Sequence, residues 1–190
     1  MPQLHITGDA DADALLSEEP LALLIGMLLD QQVPMETAFA GPAKIKDRLG
    51  AFDAAAIAEA DPEEFAAVFK QTPAVHRFPG SMAERTQALC AAIVADWGGD
   101  AARIWTDGDP DGATILTRLK ALPGFGEQKA KIFLALLGKQ YGLTAAGWES
   151  AAGSYGDPGS HRSVADIVDA SSLTKVREFK KAAKAAAKEK

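Results

Sequence analysis

After Pro20 the chain runs Leu21-Ala22-Leu23-Leu24-Ile25-Gly26-Met27-Leu28-Leu29 without one polar side chain. A helix of that composition is apolar on every face and is stable only where other elements surround it. The run is also far short of the roughly 20 apolar residues that a bilayer-spanning helix needs. It therefore predicts the buried central helix of a helical protein, not a membrane anchor. Pro20 suits the first helical position, where its missing N–H has no partner to lose. The run ends in Asp30-Gln31-Gln32-Val33-Pro34, an abrupt change to polar residues.

Helical signals dominate the remainder. Pro34 starts a helix through Met35, Ala38 and Phe39, which Gly41-Pro42 is expected to interrupt before a further short helix reaches Gly50. Asp53 and Asp61-Pro62 read as N-caps. The Pro- and Gly-rich stretch 71–81 reads as a loop, and an amphipathic helix with Leu89, Ile93 and Trp97 on one face then ends at Gly98-Gly99. Arg103 to Trp105 is a short turn, and 107–112 is a loop that caps the next helix. Ile115 to Leu122 leads into Pro123-Gly124-Phe125-Gly126, followed by a helix from about Glu127 to Tyr141. Trp148 opens a short helix, 153–160 is an exposed Gly-rich loop, and Ser171-Ser172 caps a last helix that frays into an Ala/Lys tail. Leu4-His5-Ile6 carries the one hint of a strand. The class is all-α, and 190 residues suffice for one domain or two lobes around a shared core.

The segment with most chemical content is Leu119-Lys120-Ala121-Leu122-Pro123-Gly124-Phe125-Gly126-Glu127-Gln128-Lys129-Ala130. Two apolar helices meet at a bend in which glycines permit backbone conformations closed to other residues and the approach of a large ligand. The free N–H groups that open the second helix form a site for a phosphate oxygen. Such a hairpin grips sugar–phosphate without reading sequence. Phe125, between the glycines, is expected to pack beneath the hairpin.

A formal charge of −6 argues at first sight against nucleic acid. The charge is unevenly spread, however. Residues 173–190 set Lys175, Arg177, Lys180, Lys181, Lys184, Lys188 and Lys190 against Glu178 and Glu189, a net of +5, and residues 118–142 carry a net of +4. The remainder holds −15. Cys90 is the single cysteine, and His5, His76 and His161 are far apart, so a cysteine-ligated cluster is excluded and no metal or other cofactor is expected.

Leu122-Pro123-Gly124-Phe125-Gly126, with Gln128 and Ala130 behind it, resembles the hairpin of the helix-hairpin-helix (HhH-GPD) base-excision DNA repair glycosylases, the endonuclease III-like superfamily. Leu24 to Gln32 resembles the family's early helix ending in glutamine, and Arg77 to Leu89 its Lys/Arg-Ala segment and long helix. The likeness covers roughly 20–155. It implies two helical lobes with a cleft between them, and a target nucleotide flipped out of double-stranded DNA into that cleft. It also implies that Gln31 or Gln32 braces the duplex at the minor groove, and that Gly124, Gly126 and Lys129 grip the backbone. Lys129 is expected to face phosphate or solvent.

Two positions depart from the family's pattern. Where bifunctional members carry a nucleophilic lysine, two residues after the second hairpin glycine, this chain has Gln128, and an amide cannot form a Schiff base. Where the superfamily's aspartate is expected, the chain reads Ala145-Ala146-Gly147-Trp148-Glu149-Ser150. Glu149 is the acid nearest that place, and it is equally an ordinary first-turn glutamate. Asp166 is a weaker substitute. The expected protein is a monofunctional DNA N-glycosylase acting on damaged or modified duplex DNA, with Glu149 and Gln128 as catalytic-site residues and no AP-lyase activity. Its alternative is a catalytically inactive DNA-binding or damage-sensing protein on the same scaffold. The expected organisation is a glycosylase-like domain over 1–172, its hairpin at about 113–141, with a basic tail over 173–190. A cytoplasmic, nucleoid-associated monomer without a membrane segment completes the expectation.

Overall fold

A computed structural model describes residues 2–190 and is all-helical. In chain order the helices are α1 (Ala10–Glu18), α2 (Pro20–Leu29), α3 (Met35–Leu49), α4 (Ala54–Glu59), α5 (Pro62–Lys70) and α6 (Pro79–Trp97). They continue as α7 (Arg103–Thr106), α8 (Gly112–Lys120), α9 (Glu127–Gln140), α10 (Trp148–Ala152) and α11 (Ala170–Lys188). Every residue of α2 from Leu21 to Leu29 is buried, as its composition requires. Each fully buried Leu or Ile there contributes about 1.5–3 kcal/mol.

One lobe gathers α3, α4 and α5 with the long α6. The other gathers α8 and α10 around α9. The central α2 touches both, packing on α3 and α6 on one side and on α9 on the other. Aspartates cap the surface helices as the sequence predicts. Asp53 accepts from the Ala56 N–H, Asp61 from Glu63 and Glu64, and Asp111 from Thr114. No helix among the described residues is long and apolar enough to cross a membrane.

Several local expectations need correction. Gly41-Pro42 does not break α3, which runs unbroken through both residues. A proline inside a helix costs about 3 kcal/mol, and here the burial of Ala38, Phe39, Pro42 and Ile45 along one face offsets it. Leu4 to Ile6 is not a strand; its N–H groups go to side chains, Leu4 N–H to Ser17 Oγ and Ile6 N–H to Asp13 Oδ1. The last helix has Asp169 as its N-cap, and of the two serines Ser172 completes the capping box from inside the helix. Asp169 accepts from the Ser172 N–H while the Ser172 hydroxyl accepts from the Asp169 N–H. That helix holds its form through Lys188.

Candidate nucleic-acid interface and active site

Gly126 is the N-cap of α9 and offers no side chain to the first-turn N–H groups, which leaves them available to an external acceptor. Gly124 has φ +83°, a left-handed conformation that favours glycine. A Cβ on Gly124 would stand 2.4 Å from Leu28 Cδ1. The hairpin therefore sits directly on the C-terminal end of α2. Phe125 is buried beneath the turn, edge-on to Phe133 at 6.2 Å between centroids. Two motifs about a hundred residues apart in sequence thus form one surface.

This contact explains where Lys129 goes. The expectation that it faces phosphate or solvent is corrected: the side chain is half-buried, and its Nζ donates to the Leu28 carbonyl at 3.0 Å. Burial lowers its pKa to about 8, against the opposing pull of Asp30. With the hairpin seated on α2, Lys129 on the first turn of α9 comes within reach of the end of α2. The uncapped carbonyls at the end of α2 provide its acceptor.

Gln31 and Gln32 have different placements. Gln31 Nε2 donates to the Leu28 carbonyl at 2.9 Å, and its Oε1 accepts from Arg85 Nη1 at 2.9 Å. Its carbonyl lies 2.9 Å from His76 Nε2. The Phe78 N–H donates to His76 Nδ1 at 3.0 Å, so Nε2 carries the proton that goes to Gln31. His76 stands in a loop, as expected, and there it is buried and clamps the turn after α2. Gln32, by contrast, is exposed and has φ +60°, a strained conformation for a residue with a side chain. Arg77, with its guanidinium 5.4 Å over the Phe78 ring, lies beside it.

Two cavities open on either side of the end of α2. The first, of about 420 Å³, includes Gln128, Tyr155, Arg162 and Lys180 in its lining. The second, of about 630 Å³, is lined by Gln31, Gln32, Arg77 and Lys184 among others. Asp30, Lys180 and Lys184 line both. Gln128 Nε2 donates to the Tyr155 hydroxyl at 3.0 Å, which turns its amide toward the first cavity. The basic C-terminal helix forms a wall of this cleft, joined to α3 by Arg177 paired with Glu36 and to the end of α2 by Lys180 Nζ at 3.7 Å from Asp30.

Asp30 is the residue that sequence reasoning passed over. It is the C-cap of α2, its side chain is 8% exposed, and burial raises its pKa against the opposing pull of Lys180 and Lys129. An acid directly after a wholly apolar helix, at the negative end of the helix dipole, was the available signal.

The acids named from sequence are elsewhere. Glu149 is exposed at the far end of α9, fixed there because Trp148 before it packs on Gly138, and it does not line the cavity that holds Gln128. Its assignment as the cleft carboxylate is not supported by this placement. Asp166 is nearly buried and bound to Lys139 Nζ at 2.6 Å, the Ser160 hydroxyl and the Arg162 N–H, a structural acid tying the later loops to α9. No three His, Cys, Asp or Glu residues among those described gather into a metal-binding group.

The family model described as HhH-GPD superfamily base excision DNA repair protein matches residues 25–189, a span that takes in α2's end, the hairpin and the C-terminal helix. Neither a search of the curated proteins nor one of the solved structures returns a match.

Proposed function

The chain belongs to the HhH-GPD superfamily of base excision DNA repair proteins, and from that premise we propose that it is a monofunctional DNA N-glycosylase. A damaged or modified base leaves the duplex, enters the cleft between the lobes and is released by hydrolysis of its N-glycosidic bond. Extrusion must come first, because a stacked base cannot be reached. The observation that carries this reading is the seating of the hairpin on the end of α2, with the Gln128–Tyr155 cavity opening where they meet.

Each part has a role that follows from its surroundings. The free N–H groups after Gly126 take a backbone phosphate, and the open space over Gly126 lets it approach. Gln32, exposed and held in a strained conformation, enters the gap the flipped nucleotide leaves, while Gln31 keeps the turn rigid. Gln128, with its NH₂ bound to Tyr155, presents its carbonyl to a base N–H. The amide forms no Schiff base. Lys129, its ammonium on the Leu28 carbonyl, is not among the residues lining the cavity. Hydrolysis without strand cleavage is the expected chemistry.

A panel of duplexes bearing single lesions tests this. Release of a free base that leaves an intact abasic strand, with no borohydride-trapped adduct, is the expected result. A trapped adduct would overturn the monofunctional assignment and point to Lys129 as the amine. The second reading, a damage-binding protein without catalysis, is favoured by the exposure of Glu149 at the far end of α9. Tight binding of abasic-site duplex with no base released from any lesion would establish it.

A further inference from the structure

We propose that Asp30, at the end of α2, is the carboxylate of this site, supplied by the helix that ends at the cleft and not by the segment that follows the hairpin. The inference rests on the glycosylase reading and names the residue that performs its chemistry.

The buried acids of this chain differ in what holds them. Asp13 accepts from the Ile6 N–H, the Thr7 N–H and the Thr7 hydroxyl. Asp166 accepts from Lys139, Ser160 and the Arg162 N–H. Both are structural carboxylates, each fixed by at least three donors, on Oδ1 alone in Asp13 and on both oxygens in Asp166. Asp30 is as enclosed as they are, yet its paired cation, Lys180 Nζ, stands 3.7 Å away, beyond hydrogen-bond length. No donor among the described residues lies within hydrogen-bond length of its carboxylate, and the residue lines the cavity.

The C-terminal end of a helix carries partial negative charge, so a carboxylate there is disfavoured, and burial disfavours it further. α2 is otherwise ordered by local rules throughout, with Pro20 at its start and an unbroken buried body. Residues that break such a rule inside a cavity mark functional sites. Asp30 also lines both cavities, and no other acid does. Lys129 and Lys180, from α9 and α11, set positive charge beside it that opposes the rise burial causes.

The chemistry then balances within the cleft. Asp30 orients a water molecule against C1′ of the extruded nucleotide. The water oxygen bonds to C1′ as the bond from C1′ to the base nitrogen breaks. The electron pair of that bond leaves with the base, which takes a proton from solvent. The water's proton passes to the Asp30 carboxylate and then to solvent. As positive charge develops on the sugar, the same carboxylate stabilises it, as carboxylates do in glycoside hydrolysis generally.

The test compares the full-length wild type, Asp30→Asn and Glu149→Gln in single-turnover base release from the lesion duplex that the wild type processes, alongside binding to abasic-analogue duplex. Asp30→Asn is expected to release base about 100-fold or more slowly, while its abasic-duplex binding and melting temperature match the wild type. Glu149→Gln is expected to behave as wild type. Base release by Asp30→Asn at the wild-type rate overturns the proposal and leaves the glycosylase reading intact. So does a loss that is matched by lost abasic-duplex binding or lowered melting, which would make Asp30 structural. Absence of release by the wild type from every lesion sinks the glycosylase reading itself, and this assignment with it.

Discussion

At the N-terminal end of α9 the chain sets Gly124 against Leu28, Lys129 against the Leu28 carbonyl and Gln128 against the Tyr155 hydroxyl. At the C-terminal end of the same helix, Gly138 lies beneath the Trp148 indole, Gly112 meets the Trp148 backbone, and Lys139 is paired with Asp166. The second arrangement satisfies ordinary structural preferences: small residues admit a large ring, and a cation sits at the negative helix end beside a carboxylate. The first leaves those preferences unmet. Its helix has no side-chain cap, Gln32 is held at positive φ, and Asp30 lies buried at the wrong end of a dipole. On the proposed function DNA supplies what is missing at the first end, whereas the second end is complete. Glu149 follows Trp148 and so lies at the completed end.

The largest expected effect falls on the completed end. A Cβ at Gly138 would stand 2.4 Å from the Trp148 ring carbons. Gly138→Val should therefore cost about 3 kcal/mol by overpacking, seen as a lowered melting temperature. Binding of abasic duplex by the folded fraction should be unchanged; impaired binding in step with the lost stability would erase the contrast between the ends.

Next comes Gly124→Ala, which adds left-handed strain and a clash with Leu28, together about 2 kcal/mol. Here abasic-duplex binding should fall as well, because the hairpin loses its seat on α2. Retained binding would show that this seat is not required.

A pH comparison reaches the same junction. The folded-state pKa of Lys129 is lowered to about 8, so the unfolded chain binds more protons between that pH and the ordinary lysine value. Stability should therefore rise with pH across this window by about 1 kcal/mol after allowance for solvent screening. Equilibrium unfolding should show the rise in the wild type relative to Lys129→Gln; parallel curves would return Lys129 to the surface.

Gln32→Gly should stabilise the protein by up to about 1 kcal/mol by removing strain at φ +60° while weakening abasic-duplex binding. A gain in stability without loss of binding would remove Gln32 from the interface.

The smallest effect on stability belongs to Gly126→Ala, within about 0.5 kcal/mol, since nothing lies within 4 Å of the added Cβ and the backbone is ordinary. If phosphate approaches there, binding falls about tenfold, roughly 1.4 kcal/mol. Unaltered binding would mean that the space is not used.

Much of this was legible residue by residue. The glycines at 124 and 126, the buried Phe125, the aspartate caps and the enclosed run from Leu21 to Leu29 all follow from short-range rules of conformation and burial. The exceptions share a physical cause. Pro42 stays helical because tertiary packing on α3 outweighs a local preference. His76 lies in a loop, as expected, but its ring bridges the Phe78 N–H and the Gln31 carbonyl, which no local pattern records. Lys129 cannot be oriented from its place on α9 alone, because its acceptor belongs to α2.

By itself the sequence determined an all-helical chain, a central helix that must be enclosed, a glycine bend between two helices, and the absence of a lysine at position 128. These depend on each residue and its near neighbours. Only the tertiary structure decided which polar groups meet. It turned Lys129 inward, separated the roles of Gln31 and Gln32, left Glu149 outside, and placed Asp30 between α9 and the basic α11. Contacts between positions so far apart depend on how whole helices pack, and the local pattern of no one segment records that.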